Sequence, residues 1–240
     1  MSGQAVPGIS QKDREVLKGL AAQVAELAAH PKENKKRELW YKHNALEHTR
    51  PVIFCDPENG WKEIITEKDL VCSEGIARQW EEHLRKEIFW GKMMGDDKVI
   101  EPYFDVPYSF SESDWGMHEN IIGGENGGSF TWEPPLKDYK DLDKLHFPVI
   151  TIDYERTKAI VHLAQETVGD FLEVRLKCGW WWTLGLTSTL IKLRGLEQFM
   201  FDFYDHPDEL HRLMAFLRDG HIAKLDFLES NGLLSLNNDG

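Results

Sequence analysis

Amphipathic helical segments alternate with short apolar runs along most of this chain, and this alternation constrains its fold more than any other feature. Helices are predicted where apolar residues recur with the period of an α-helix, at residues 11–29, 32–48, 74–94, 153–169 and from Pro207 onward. Apolar runs that predict strands lie between or beyond them, at 52–55, 98–110, 171–179 and 233–236. Strands that alternate with helices favour crossover connections and a parallel sheet, so we predict an α/β protein.

The predicted strands are too few for a closed barrel. A TIM-barrel-type (β/α)8 fold takes about 250 residues, and this chain of 240 residues uses much of its length on other segments. We therefore predict roughly half of such a barrel, with an α-helical leader at residues 1–50 and the N-terminal part of the barrel at residues 51–240. The stretch 111–147 is rich in Gly, Asp, Glu and Trp, which predicts a loop or hairpin excursion.

The last nine residues, GLLSLNNDG, predict a buried strand that leads into a polar cluster. An open parallel half-barrel would leave this strand with an unpaired edge and would expose apolar side chains. We therefore expect another chain to cover residues 233–236, either a second copy in a homodimer or a C-terminal half-barrel chain.

Charge and composition argue against several classes of protein. The formal net charge is −13 and the basic residues are scattered, so nucleic-acid binding is not expected. No apolar stretch approaches the roughly 20 residues that span a bilayer, and the N-terminus lacks a signal-peptide pattern, so we predict a cytoplasmic protein with no membrane segment. Cys55, Cys72 and Cys178 lack metal-type CxxC spacing and are expected to be reduced thiols.

Three stretches of the sequence carry a family resemblance: WEPPLKDYKDLDKL from Trp132, VGD at 168–170, and LRGLEQFMFDFYDHPDELHRLMAFL from Leu193. The third contains the pattern G-x-E-x-F-x-x-D-x-x-D-x-P-D-x-L. Together they resemble the N-terminal and central part of the uroporphyrinogen decarboxylase superfamily, which implies a TIM barrel. One branch of that superfamily decarboxylates uroporphyrinogen III without a cofactor. The other contains zinc-dependent methyltransferases that pass a methyl group between a small methylated compound or coenzyme and a partner protein carrying cobalamin.

The decarboxylase branch is characterised by an arginine-rich N-terminal motif, Q-A-G-R-x-x-P-E-Y, that holds the substrate's carboxylates, and this sequence has no match to it. After the leader it offers acids, Asp56 and Glu58, which would repel a polyanionic tetrapyrrole. The chain is more similar to the methyltransferase I components of corrinoid-dependent O-demethylases, and an aryl methyl ether is the expected methyl donor. Two alternatives stay open: a uroporphyrinogen decarboxylase-like decarboxylase, and a non-catalytic half-barrel subunit that needs a partner chain.

Polar residues at the ends of the predicted strands are the candidate site, because barrel enzymes place their sites at the carboxyl ends of strands. An ether oxygen leaves poorly unless it is protonated or bound to a Lewis acid while Co(I) attacks the methyl group. The resemblance implies zinc for that purpose, but no metal ligand is identified from the sequence. The predicted catalytic residues are Asp239, Asp56 and Asp105, and the predicted substrate-binding residues are Trp181, Tyr103, Tyr108, Asn237 and Asn238.

Each of these residues also has a structural interpretation. The segment after Cys55 reads equally well as a turn, the two tyrosines as packing residues, and Asn-Asp-Gly as a terminal turn. His118 is weighed as a metal ligand but sits in a loop. His211 and His221 lie on or beside the apolar stripe of the last helix and are interpreted as packing or surface residues.

Overall fold

The computed structural model describes residues 8–73, 75–124, 129–178 and 185–236, which form a mixed α/β protein rich in helix. The helices are α1 (Gln11–Ala28), α2 (Pro31–Asn44), α3 (Trp61–Ile64), α4 (Ile76–Phe89), α5 (Tyr154–Val168), α6 (Leu186–Arg194), α7 (Leu196–Asp205) and α8 (Pro207–Ser230). The strands are β1 (Tyr103–Pro107), β2 (Phe110–Glu112), β3 (Asn120–Gly123), β4 (Phe130–Glu133), β5 (Ile150–Ile152) and β6 (Glu173–Lys177). No helix in these ranges is long and apolar enough to cross a membrane.

The chain divides into two compact units. Of the described residues, the first unit contains those up to Pro107, those of Tyr154–Lys177 and Leu236, and the second contains those within Tyr108–Asp153 and Cys178–Ser235. The described part of the predicted leader, residues 8–50 of 1–50, falls within the first unit, where α1 packs on α4 and α5. The predicted excursion, 111–147, belongs to the second unit.

Helix α1 begins where the sequence predicts because Ser10 caps it. The Ser10 hydroxyl accepts a hydrogen bond from the Asp13 backbone N–H at 3.1 Å, which satisfies one of the free donors of the first turn. The apolar stripe then lies in the core of the first unit, with Leu17 and Ala21 fully buried. The helices predicted at 11–29, 74–94, 153–169 and from Pro207 are confirmed, while the predicted helix 32–48 begins at Pro31 and ends at Asn44.

Strands β1 and β6 form a parallel pair in register from Tyr103 opposite Glu173 to Pro107 opposite Lys177. Phe104 and Val106 are buried in the core of the first unit. Helix α5 lies between the two strands in sequence and packs on both, so these elements form one β–α–β unit. The strands predicted within 98–110 and 171–179 are thus confirmed.

The strand predicted at 52–55 is wrong. Two aspartate side chains accept hydrogen bonds from the backbone N–H groups of this segment, which in a sheet would donate to a neighbouring strand. The backbone N–H of Ile53 donates to Asp97 at 2.9 Å, and that of Cys55 donates to Asp96 at 3.0 Å. Arg50 holds the Asp97 carboxylate with two further hydrogen bonds and lowers the pKa of that group. Side chains therefore satisfy this backbone, and residues 51–57 have no regular secondary structure.

The second unit contains two antiparallel pairs, β2 with β5 and β3 with β4. The β3–β4 pair confirms the hairpin predicted within the excursion. Buried leucines that follow the hairpin pack with α6 and α8, so the excursion supplies part of a hydrophobic core; they are Leu136, Leu142 and Leu145.

The strand predicted at 233–236 is also wrong. Gly232 adopts a left-handed conformation, φ +63°, and the backbone N–H of Leu233 donates to the Leu228 carbonyl at 2.9 Å to close the end of α8. Leu233 is buried, as expected, but it packs on Leu228 and Ile150 rather than in a sheet.

The expected sheet of four parallel strands is therefore not formed by the described residues, which contain one parallel pair among three two-stranded sheets. Two of the four predicted strands pair in parallel, and the other two have their backbone groups engaged in side-chain bonds or a helix cap. The mixed α/β class is confirmed.

Glu81 should stabilise the first unit far more than its neighbour Glu82. The fully buried Glu81 carboxylate accepts hydrogen bonds from the backbone N–H groups of Val71 and Cys72, at 2.9 and 2.7 Å, and pairs with Arg85. We expect Glu81→Ala to lower the free energy of unfolding by about 2–4 kcal/mol, because it leaves buried donors unpaired.

Glu82→Ala is the matched control, since the half-exposed Glu82 pairs with Lys86 on the helix surface. Urea unfolding followed by circular dichroism measures both variants. Equal effects would contradict the assigned role of Glu81.

Candidate functional site

Asp56 has the contacts of a turn residue. Its carboxylate accepts hydrogen bonds from the Glu58 backbone N–H at 2.9 Å and from the Trp61 indole N–H at 2.8 Å. The Trp61 ring is buried and packs edge-on against Trp90. Asp56 thus links an exposed turn to the core of the first unit, and its predicted catalytic role stays a prediction.

Asp105 lies in the middle of β1, and its carboxylate is engaged across the parallel pair. Arg175 on β6 binds it through two hydrogen bonds of 2.8 and 2.9 Å, and the Lys177 ammonium lies 3.4 Å away. The Arg175 guanidinium also lies 3.7 Å from the centroid of the Tyr103 ring. Both predicted residues of this strand therefore belong to one network of charge pairs.

Tyr108 packs in the second unit against a small cluster that includes Ile150, Leu228 and Leu233. This is the packing role that the sequence left open for it. Trp181, Asn237, Asn238 and Asp239 lie outside the described residues, so their predicted roles stay predictions.

A cavity of about 340 Å³ in the second unit brings together polar residues that the sequence did not assign to a site. Its walls come from the segment that follows β2, from the first turns of α6 and from the middle of α8. Trp115, Met117 and Leu193 form an apolar wall, and Ser188 and His221 are among the polar lining residues. A cavity of this volume matches the size of typical small-molecule sites.

Two glycines allow Trp115 to reach α8. Gly116 has φ +93°, and a Cβ there would lie 2.5 Å from the Lys144 carbonyl oxygen. A Cβ on Gly220 would lie 2.5 Å from the Trp115 ring, so only glycine permits this close approach. The Trp115 ring consequently lies with its centroid 5.2 Å from that of His221.

His221 lines the cavity without a hydrogen-bond partner among the described residues. Both ring nitrogens are buried and unpaired. Burial lowers the pKa of the imidazole, Lys224 lowers it further, and Glu112 opposes the shift. The ring is therefore held neutral near pH 7, with one N–H donor and one acceptor nitrogen.

The charged residues of the cavity are paired with one another or with a neighbour. The Lys224 ammonium lies 2.9 and 2.8 Å from the two Glu112 carboxylate oxygens, and Lys192 lies 3.9 Å from Glu119. Asp114 contacts the His118 ring at 2.8 Å. The cavity thus offers a ligand an apolar wall and uncharged hydrogen-bonding groups rather than a free charge.

The sequence placed His221 on an apolar stripe but gave no reason to treat it as a site residue. The signal available was its spacing from Lys224, which puts two polar residues on one face of α8 within an otherwise apolar stripe. That spacing is common on helices. Only the fold shows that residues of β2 and α6 line a cavity together with this face of α8.

A second polar cluster, which we call the Arg194 cluster, consists of Arg194, Asp202, Tyr139 and Gln198. Arg194 binds the Asp202 carboxylate through two hydrogen bonds of 2.7 and 2.9 Å, and Tyr139 donates to the same carboxylate at 2.6 Å. Burial raises the pKa of Asp202, but the hydrogen bonds from Arg194, Tyr139 and Gln198 outweigh it and lower that pKa to about 2. The cluster borders an open polar cavity of about 850 Å³.

No group of three or more histidine, cysteine, aspartate or glutamate side chains lies close enough to hold a metal ion in the part of the chain that the structure describes. His118, weighed as a ligand from the sequence, contacts Asp114 and is largely exposed. The described residues therefore identify no zinc ligands, and no chemical step is assigned to a metal.

Searches with protein-family models, among curated proteins and among solved structures found no match to this chain.

Replacing Asp202 should remove a contribution to the free energy of unfolding that varies with pH. The lowered pKa means that ionised Asp202 stabilises the fold above the ordinary aspartate pKa, and that this contribution is lost as the pH falls toward 2. We expect Asp202→Asn to lower the free energy of unfolding by about 3 kcal/mol at pH 7, because a buried Arg194 loses its counter-charge. The difference from the unaltered chain should shrink as the pH falls from about 4.

The control is Asp205→Asn, an exposed residue on the same helix, which should cause little change. The measurement is urea unfolding across this pH range. An Asp202→Asn deficit that stays constant with pH would contradict the assignment.

The neutral state of His221 predicts a loss of stability in the same direction, as the pH falls, but at a higher pH than for Asp202. Because its folded pKa is lowered, the unfolded chain binds a proton first, and stability falls as the pH drops below about 6.5. His221→Phe keeps a ring beside Trp115 and should remove this part of the pH dependence without loss of stability at pH 7.

His211→Phe, an exposed position on the same helix, should retain the pH profile of the unaltered chain. Thermal unfolding between pH 5 and pH 8 distinguishes the three proteins. Parallel profiles for all three would show that His221 titrates normally.

Proposed function

We propose that this chain is a component of a corrinoid-dependent methyltransferase of the uroporphyrinogen decarboxylase superfamily. It would transfer a methyl group from a small methylated compound, with an aryl methyl ether as the expected donor, to the cobalamin of a partner protein. The proposal rests on the sequence resemblance, and one structural observation supports it: the Arg194 cluster joins two of the three stretches that carry the resemblance.

The cluster brings residues of those two stretches into contact in this chain. Arg194 and Asp202 belong to the stretch LRGLEQFMFDFYD, and Tyr139 belongs to WEPPLKDYKDLDKL. The Arg194 guanidinium also donates to the backbone carbonyls of Leu136 and Lys137, at 3.0 and 2.7 Å. The aspartate of the motif thus has a buried structural role, and the resemblance by itself identifies no catalytic residue.

The β1–α5–β6 unit supports the barrel part of the proposal, because repeated β–α–β units build a (β/α)8 barrel. In this proposal residues 1–50 are a leader to the barrel and residues 51–240 include its N-terminal part. A second chain, either another copy or one that carries further strands, is proposed to complete it.

The reaction needs a group that protonates or binds the departing oxygen while the methyl group is attacked. In the superfamily zinc supplies such a Lewis acid. No group of three or more histidine, cysteine, aspartate or glutamate side chains among the described residues could hold it. The proposed catalytic acids remain Asp56, Asp105 and Asp239. The proposed location is the cytoplasm, where a reduced corrinoid partner and reduced thiols are compatible.

The 240-residue chain should demethylate 2-methoxyphenol when it is supplied with zinc and cob(I)alamin under strict anaerobic reduction. The ether methyl group is transferred to cobalt, and the aryl oxygen takes a proton and leaves as a phenol. Loss of the Co(I) absorbance together with chromatographic detection of catechol measures the two products.

A reaction without the chain and one with heat-unfolded chain are the controls. Decarboxylation of uroporphyrinogen III instead of demethylation would favour the decarboxylase alternative. Inactivity toward both substrates, alone and with the corrinoid protein, would favour the non-catalytic subunit.

A further inference from the structure

The cavity around His221 combines features of a ligand site that the fold does not otherwise need. Its apolar wall is formed by Trp115, Met117 and Leu193, and both ring nitrogens of His221 are buried without a partner among the described residues. A buried polar group without a hydrogen bond destabilises a protein, whereas an apolar ring of similar shape would not. The presence of histidine at this position therefore favours a bound partner over a packing role.

The shape of the wall is equally specific. Trp115 can lie against α8 only because residue 220 is glycine, and Phe147 is a further close neighbour of that position. The apolar wall and His221 consequently line a common space of about 340 Å³, enough for a single six-membered ring with one or two substituents. The protein covers both ring nitrogens of His221, so the imidazole has to turn about its side-chain bonds for a nitrogen to meet a ligand in that space.

The charge pattern restricts what the cavity can hold. Lys224 is paired with Glu112, Lys192 with Glu119 and Asp114 with His118. A charged ligand would have to compete with these pairs and would lose its hydration on entry. An uncharged ring with a hydroxyl group avoids both costs. It can stack on an aromatic wall, and its hydroxyl group can donate a hydrogen bond to a neutral imidazole or accept one from it.

We propose that this cavity binds a small uncharged ring compound through a hydrogen bond between the ligand's hydroxyl group and His221. Binding itself does not depend on methyl transfer. The identification of this ligand with the phenolic substrate of the reaction rests on the proposed function.

The test uses the intact 240-residue chain with 2-methoxyphenol as the probe, measured by titration calorimetry without cobalamin or zinc. We expect saturable binding at one site. His221→Phe should weaken it about tenfold or more, the effect of losing a hydrogen bond to a buried group. Methoxybenzene, which lacks the hydroxyl group, should bind the unaltered chain about as much more weakly than 2-methoxyphenol does. The His211→Phe variant should bind 2-methoxyphenol with the affinity of the unaltered chain.

A second measurement avoids dependence on the folding of the variant. With ¹³C-labelled histidine, the ring resonance assigned to His221 should shift on titration with 2-methoxyphenol, while that of the exposed His211 should not. Absence of saturable binding, unchanged affinity in His221→Phe, or shifts at other histidines alone would overturn the proposal.

The outcome is separable from that of the proposed function. Methyl transfer from 2-methoxyphenol without binding at His221 would reject this cavity as the site and leave the enzyme assignment intact. Binding that depends on His221 in a chain that transfers no methyl group would retain the site and reject the methyltransferase.

Discussion

The buried pair between Arg194 and Asp202 is the interaction on which the second unit most depends. Arg194 is 4 % exposed and Asp202 is fully buried, so each charge has given up water and needs the other. Removing either partner would leave an uncompensated charge in the core. Because the same guanidinium also binds the carbonyls of Leu136 and Lys137, it ties the end of α6 to the segment that follows the β3–β4 hairpin.

Carboxylates have a comparable role in the first unit, where they accept hydrogen bonds from backbone N–H groups of irregular segments. Glu81 accepts from two backbone N–H groups, Glu33 accepts from that of Ile100 at 2.8 Å, and Asp97 accepts from that of Ile53. A chain with short strands and long irregular connections must satisfy its buried backbone in this way, because an unpaired buried N–H is costly. Many of its acids are therefore structural, which matters when acids are chosen as catalytic candidates.

The His221 cavity differs from these clusters because its polar groups are not all satisfied within the protein. Glu81, Asp97 and Asp202 each have several donors, whereas the two nitrogens of His221 have none among the described residues. Structural polar groups are arranged to complete their hydrogen bonds, and binding sites leave some of them open to a ligand. Among His221, Asp56 and Asp105, His221 is thus the residue whose ring nitrogens have no hydrogen-bond partner among the described residues.

The sequence by itself determined the α/β class and the helices α1, α2, α4, α5 and α8, whereas α3, α6 and α7 were not predicted. Helix periodicity is a local property, and the Ser10 cap and the leucine stripe of α8 could be read directly from neighbouring residues. The strands β1 and β6 and the β3–β4 hairpin were predicted on the same local basis. The strands predicted at 52–55 and 233–236 are wrong for a reason that the local sequence does not show: Ile53 and Cys55 donate to Asp97 and Asp96, and Leu233 donates to the end of α8.

Only the tertiary structure decided which polar residues are satisfied and which remain open. The pairing of Asp105 with Arg175, and the position of His221 beside Trp115 and α6, are seen only in the folded chain. Hydrogen-bond partners of this kind come from residues distant in sequence, so no local pattern records them.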